Sequence, residues 1–116
     1  MSLLVRAFPL IRGREELEQF AEEMRGRYSE DANRFYRQFG VRRESWFYQD
    51  TPHGALVIGV TDIDDPIEAA AQEYQQTTEH FAAWFKNRVH ELSGIDPNEQ
   101  PLGPPTELIY DFTRSG

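Results

Sequence analysis

The chain holds 116 residues, enough for one domain with its own core, because domains of this size bury about two thirds of the surface their unfolded chains expose. Asp and Glu number 20 against 12 Lys and Arg, and the resulting formal charge of −8 opposes a nucleic-acid role, since binding a phosphate backbone needs a basic footprint. Cys is absent, which excludes disulfides, thiolate nucleophiles and Cys-ligated zinc or iron–sulfur sites.

Leu3 to Phe8 is a short apolar run ended by Pro9 and reads as strand one. Arg6 interrupts it, and the N-terminus lacks the basic start of a signal peptide. No apolar run approaches the ~20 residues that cross a bilayer. A cytoplasmic protein without a membrane partner is the expectation.

From residue 14 to 39, Leu17, Phe20, Ala21, Met24, Tyr28, Phe35 and Phe39 recur as one helical stripe. Glu15, Glu16 and Glu18 lie near the positive end of its dipole, and Gly40 suits a left-handed stop. Gly26 or Ser29-Glu30-Asp31 would kink so long a helix, with Ser29 a candidate N-cap. Val41 to Asp50 alternates as strand two, with Arg42, Glu44, Trp46 and Tyr48 on one face. Thr51-Pro52-His53-Gly54 carries turn chemistry and joins it to strand three, Ala55 to Thr61, as a hairpin.

Asp65-Pro66-Ile67-Glu68 is a helix start, with Asp65 capping and Pro66 in the first turn. That helix runs to about Gln75. A second piece over 78–93 has the core stripe Phe81, Phe85, Val89 and Leu92, and Gly94 stops it. Pro97, Pro101, Pro104 and Pro105 stiffen the following connection. Thr106 to Phe112 closes the chain as strand four. The expected architecture is one α+β domain over 1–116, ferredoxin-like, β-α-β-β-α-β, with a four-stranded antiparallel sheet and helices on one face.

The other sheet face should then be polar, yet strand three is apolar or small on both sides. Leu56, Ile58 and Val60 fill one face, and Ala55, Val57 and Gly59 the other. Two covers are open: a second copy, giving a homodimer in the manner of a dimeric α/β barrel, or the proline-rich segment folded across the face.

Two stretches carry a resemblance. His80-Phe81-Ala82-Ala83-Trp84-Phe85-Lys86-Asn87-Arg88-Val89 runs on to Asp96, and Pro101-Leu102-Gly103-Pro104-Pro105 leads into Glu107-Leu108-Ile109-Tyr110-Asp111. With the Arg-rich start of strand two they resemble a small bacterial family of unknown function. Its architecture is similar to the dimeric α/β barrels, which include antibiotic-biosynthesis monooxygenase-like proteins. The resemblance implies the fold and the dimer. It transfers no catalytic residue. In the wider superfamily the space between sheet and helices takes small, often aromatic molecules, or haem.

The candidate site combines Arg42, Trp46 and Tyr48 of strand two with His80, Trp84 and Arg88 of the last helix, an apolar pocket with a few polar groups. In an oxygenase-type, cofactor-free role it would hold an electron-rich aromatic substrate that reacts with O₂ itself, with His80 or Arg88 assisting the anionic form. The alternative is a non-enzymatic dimer in which Trp46 and Trp84 are core or interface residues. His53 and His90 carry no supporting pattern for haem or catalysis. Asp62, Asp64 and Asp65 lack the full calcium loop, so no metal is expected. No Gly-rich phosphate loop or nucleophile motif is present.

Overall fold

In the computed structural model, residues 2–64, 72, 74 and 79–114 are described. They form β1 (Ser2–Pro9), α1 (Arg14–Arg25), α2 (Ser29–Gln38), β2 (Val41–Thr51), β3 (Gly54–Ile63) and α3 (His80–Ser93). The helix start at Asp65-Pro66 lies outside the described residues. Among those described, no helix is long and apolar enough to cross a membrane.

The three strands make one antiparallel sheet with β3 in the middle, in the order β1-β3-β2. Side-chain alternation along the strands sorts the sheet into two faces. On the inner face, Leu4, Thr61 and Glu44 form one row across the strands; Arg6, Gly59 and Trp46 form the next, and Phe8, Val57 and Tyr48 a third. The outer face has the rows Val5, Val60, Ser45 and Ala7, Ile58, Phe47.

The described helices all pack on the inner face. Leu17 and Phe20 of α1, Ala32 and Phe35 of α2, and Phe81, Phe85, Val89 and Leu92 of α3 bury against Val57 and its neighbours. Each helix buries one stripe because its apolar residues recur at three and four positions. The long helical pattern is divided at Gly26–Tyr28, and α2 begins at Ser29 with Tyr28 in the capping position. Gly40 and Gly94 take left-handed φ values of 70° and 76° and stop α2 and α3.

A fourth strand does not form, and the order β-α-β-β-α-β is corrected to three strands and three helices among the described residues. Residues 106–112 lie outside any ladder, leaving Leu108, Ile109, Tyr110 and Phe112 exposed. The reason lies where this segment meets β1. Pro104 and Pro105 have no N–H to donate. The Val5 carbonyl accepts instead from the Thr106 hydroxyl at 2.7 Å and from the Arg6 guanidinium at 3.0 Å. Gly103, at φ 80°, sits so close to the Ala7 carbonyl that a Cβ would lie 2.3 Å from it. The chain therefore touches the edge of β1 without entering register.

The proline-rich connection packs at the inner side rather than across the outer face. Pro97 is buried and Leu102 packs against the core. On the outer face Leu3 and Phe47 remain 59% and 54% exposed.

Candidate functional site

Sheet and helices do not close on one another completely. Between them lies a cavity of about 510 Å³. Its floor is the inner sheet face from Leu4 to Phe8, from Val57 to Ile63, and at Glu44 and Trp46. Phe20, Phe35, Tyr36, Tyr74 and Phe85 wall it, and Pro97, Pro101 and Leu102 lie at its margin. Gly59 explains the space over the floor: a Cβ built there meets nothing within 4 Å. A strand glycine with room above it marks a place where another group can approach.

The walls are a connected set of rings. Phe20 lies 4.9 Å from Trp46 and 5.3 Å from Phe85, and Phe35 lies 5.0 Å from Phe85, distances at which tilted and edge-on rings attract. Set among them is a polar cluster centred on Glu44. Its carboxylate accepts from the Thr61 hydroxyl at 2.7 Å, from the Trp46 indole N–H at 3.2 Å, and from Tyr36. Burial pushes the Tyr36 hydroxyl well above the usual tyrosine range, and the charge and hydrogen bond of Glu44 push it further. Tyr74 is raised in the same sense, first by burial and then by Glu44. Its hydroxyl is buried and has no partner among the described residues. A depression of about 260 Å³ on the far side of Glu44 shares Tyr36, Glu44 and Trp46 with the main cavity.

Of the six residues that the sequence points to, Trp46 lines the cavity. Tyr48 packs at the core margin with the Arg14 guanidinium 4.8 Å over its ring. Trp84 joins the outer end of the ring cluster, 4.1 Å from Tyr28 and 5.6 Å from Phe20. His80 is exposed at the start of α3. Arg88 lies 5.7 Å over Phe20 and 3.7 Å from Glu91, with its Nε buried and without a partner among the described residues.

Arg42 is displaced by a β-bulge. Val41 pairs with Ile63 and Arg43 with Asp62, so Arg42 is the extra residue on β2. It reaches Asp62 at 3.3 Å and Asp64 at 3.6 Å, at the surface. The bulge also lets Val41 and Glu44, three residues apart, share the inner face.

Sequence reasoning did not assemble Arg6, Tyr36, Gly59, Thr61 and Tyr74 with Glu44. The available signals were an arginine inside an apolar strand and a glycine inside another, each unexplained by its own element.

No helix–sheet pair in this site supplies a metal cluster: among the described residues no group of three or more His, Asp and Glu could hold an ion. Lys86 is buried on α3, its ammonium donating to Asn98 at 2.9 Å and lying 5.3 Å over the Tyr74 ring. Burial lowers its pKa while Asp96 pulls the other way. No family model, curated protein or solved structure matches this chain.

Proposed function

We propose that the protein binds a small, largely apolar molecule of aromatic type in the cavity between its sheet and helices. The observation that carries this is the cavity itself, about 510 Å³ and walled by aromatic side chains with a few polar groups at its floor. Ligand sites have this size and this mixture. A binding role is favoured over the oxygenase-type role because neither His80 nor Arg88 lines the space.

N-Phenyl-1-naphthylamine, a neutral fluorescent aromatic, tests the proposal. Its emission should rise on titration with the protein, and Gly59→Leu should weaken binding about tenfold or more, which is ~1.4 kcal/mol or more. The substitution suits a strand, and the space above Gly59 accepts it, so the unfolding midpoint should hold or rise. Equal affinity in a folded Gly59→Leu protein would place the dye elsewhere.

Self-pairing is a second reading, favoured by the outer sheet face. Leu3 and Phe47 are exposed there beside Val5, Ile58 and Val60, and an uncovered apolar sheet face marks an association surface. Light scattering coupled to size exclusion should give twice the 13.5 kDa chain mass, and Phe47→Asp should shift the protein toward a monomer. A wild-type mass of one chain at micromolar concentration sinks this reading.

A further inference from the structure

We infer that the guest of this cavity is an anion: an apolar body ending in one oxyanion, such as a carboxylate, received by the Arg6 guanidinium. This rests on the small-molecule reading above and names the chemical class of its ligand.

Arg6 stands in the middle of β1 on the inner face, in the row that continues through Gly59 to Trp46. It lines the cavity and is only partly exposed. Among the described residues no carboxylate lies within ion-pair distance of it; its hydrogen bond goes to the Val5 carbonyl at 3.0 Å. A guanidinium carries five N–H donors, so most of its capacity is unspent.

A cation beside apolar walls is costly unless an anion meets it. Glu44 does not serve. β3 separates β1 from β2, so roughly 10 Å lies between the outer strands. Glu44 also sits in the neighbouring row, with its oxygens committed to Thr61, Trp46 and Tyr36.

Gly59 leaves the floor beside Arg6 open, so a guest lying over it can bring its charged end to the guanidinium. Arginine suits this task because its planar fork matches an oxyanion with two parallel hydrogen bonds. The buried Tyr74 hydroxyl, without a partner among the described residues, adds a donor on the Glu44 side of the same cavity, where a second acceptor on the guest would be satisfied. The net charge of −8 repels anions in general. A preference for an anion must therefore come from a local cation.

The test compares 1-anilinonaphthalene-8-sulfonate with N-phenyl-1-naphthylamine, which shares its aromatic frame and lacks the sulfonate. The sulfonate dye should bind the wild-type protein about tenfold more tightly, and added salt should narrow the gap. Arg6→Gln should erase the preference, and Arg6→Lys should keep part of it. Far-UV circular dichroism and the urea midpoint show whether both variants are folded, and the ratio of the two dye affinities within each variant is the quantity read.

Equal affinities for the two dyes, or a preference that survives Arg6→Gln, overturn the inference while leaving the cavity reading intact, provided Gly59→Leu still weakens both dyes. If Gly59→Leu weakens neither, the cavity reading fails and the inference falls with it. If Arg6→Gln does not fold, the wild-type dye preference and its loss in salt decide the question alone.

Discussion

Phe85→Ala should destabilise the protein by about 3–5 kcal/mol, the range for deleting a buried aromatic ring from a packed core. Phe85 is 6% exposed and stands where the three helices meet β2. Its ring lies 5.3 Å from Phe20 of α1, 5.0 Å from Phe35 of α2 and 6.4 Å from Trp46 of β2, and it also meets Tyr74 and Phe81. A domain of this kind has ~5–15 kcal/mol in total, so the loss takes a large share. Phe85→Leu keeps most of the volume and should cost less than about 1.5 kcal/mol. Urea unfolding followed by circular dichroism measures both. A Phe85→Ala loss below about 1 kcal/mol would mean that the cavity already uncouples the ring from its neighbours.

Alkaline unfolding should be steep, and two partly buried tyrosines set it. Tyr36 and Tyr74 both have hydroxyls raised by burial and by the Glu44 charge. In the unfolded chain they ionise near pH 10. Above that pH the unfolded state sheds both protons while the folded state keeps them. Stability is therefore complete below about pH 10 and falls by about 1.4 kcal/mol per pH unit for each tyrosine, about 2.7 together. Lys86 acts in the opposite sense, because burial lowers it, and its effect ends at the free value near 10.4. Urea midpoints between pH 9 and 11.5 should show this slope, and Tyr36→Phe or Tyr74→Phe should each remove about half of it. Absorbance at 295 nm should show that these two of the five tyrosines ionise only with unfolding. A wild-type slope near zero up to pH 11 contradicts the desolvation of the two hydroxyls beside Glu44.

The parts of the fold that can be read along the chain are those decided locally. The stripe Phe81, Phe85, Val89 and Leu92 needs only helical periodicity, and Gly94 stops the helix by its own backbone freedom. The β2–β3 hairpin follows from the turn residues between its strands. Strand pairing is not local. Leu108, Tyr110 and Phe112 alternate as a strand would, but the Val5 carbonyl accepts from Thr106 and Arg6, and the two prolines before that segment cannot donate. A ladder also depends on the partner's free groups, which periodicity does not record.

The bulge at Arg42 misleads in a related way. Alternation places Arg42 with Glu44 and Trp46, and one inserted residue sends it to Asp62 and Asp64. Trp46 was legible as a site residue because it is large and lies inside a strand. Arg6, Tyr36, Gly59 and Tyr74 come from separate parts of the chain, and only the sheet register and helix packing bring them around one cavity. Arg6 reads on its own as a flaw in an apolar strand. Beside Gly59 it becomes a charge with room next to it.

A crystal structure of the protein with N-phenyl-1-naphthylamine decides whether the space between sheet and helices takes an aromatic guest. Density for the dye is expected over Gly59, beneath Phe20 and Phe85, with the aromatic walls shifted little. Density confined to the outer sheet face around Leu3 and Phe47, with the inner cavity unchanged, would contradict it.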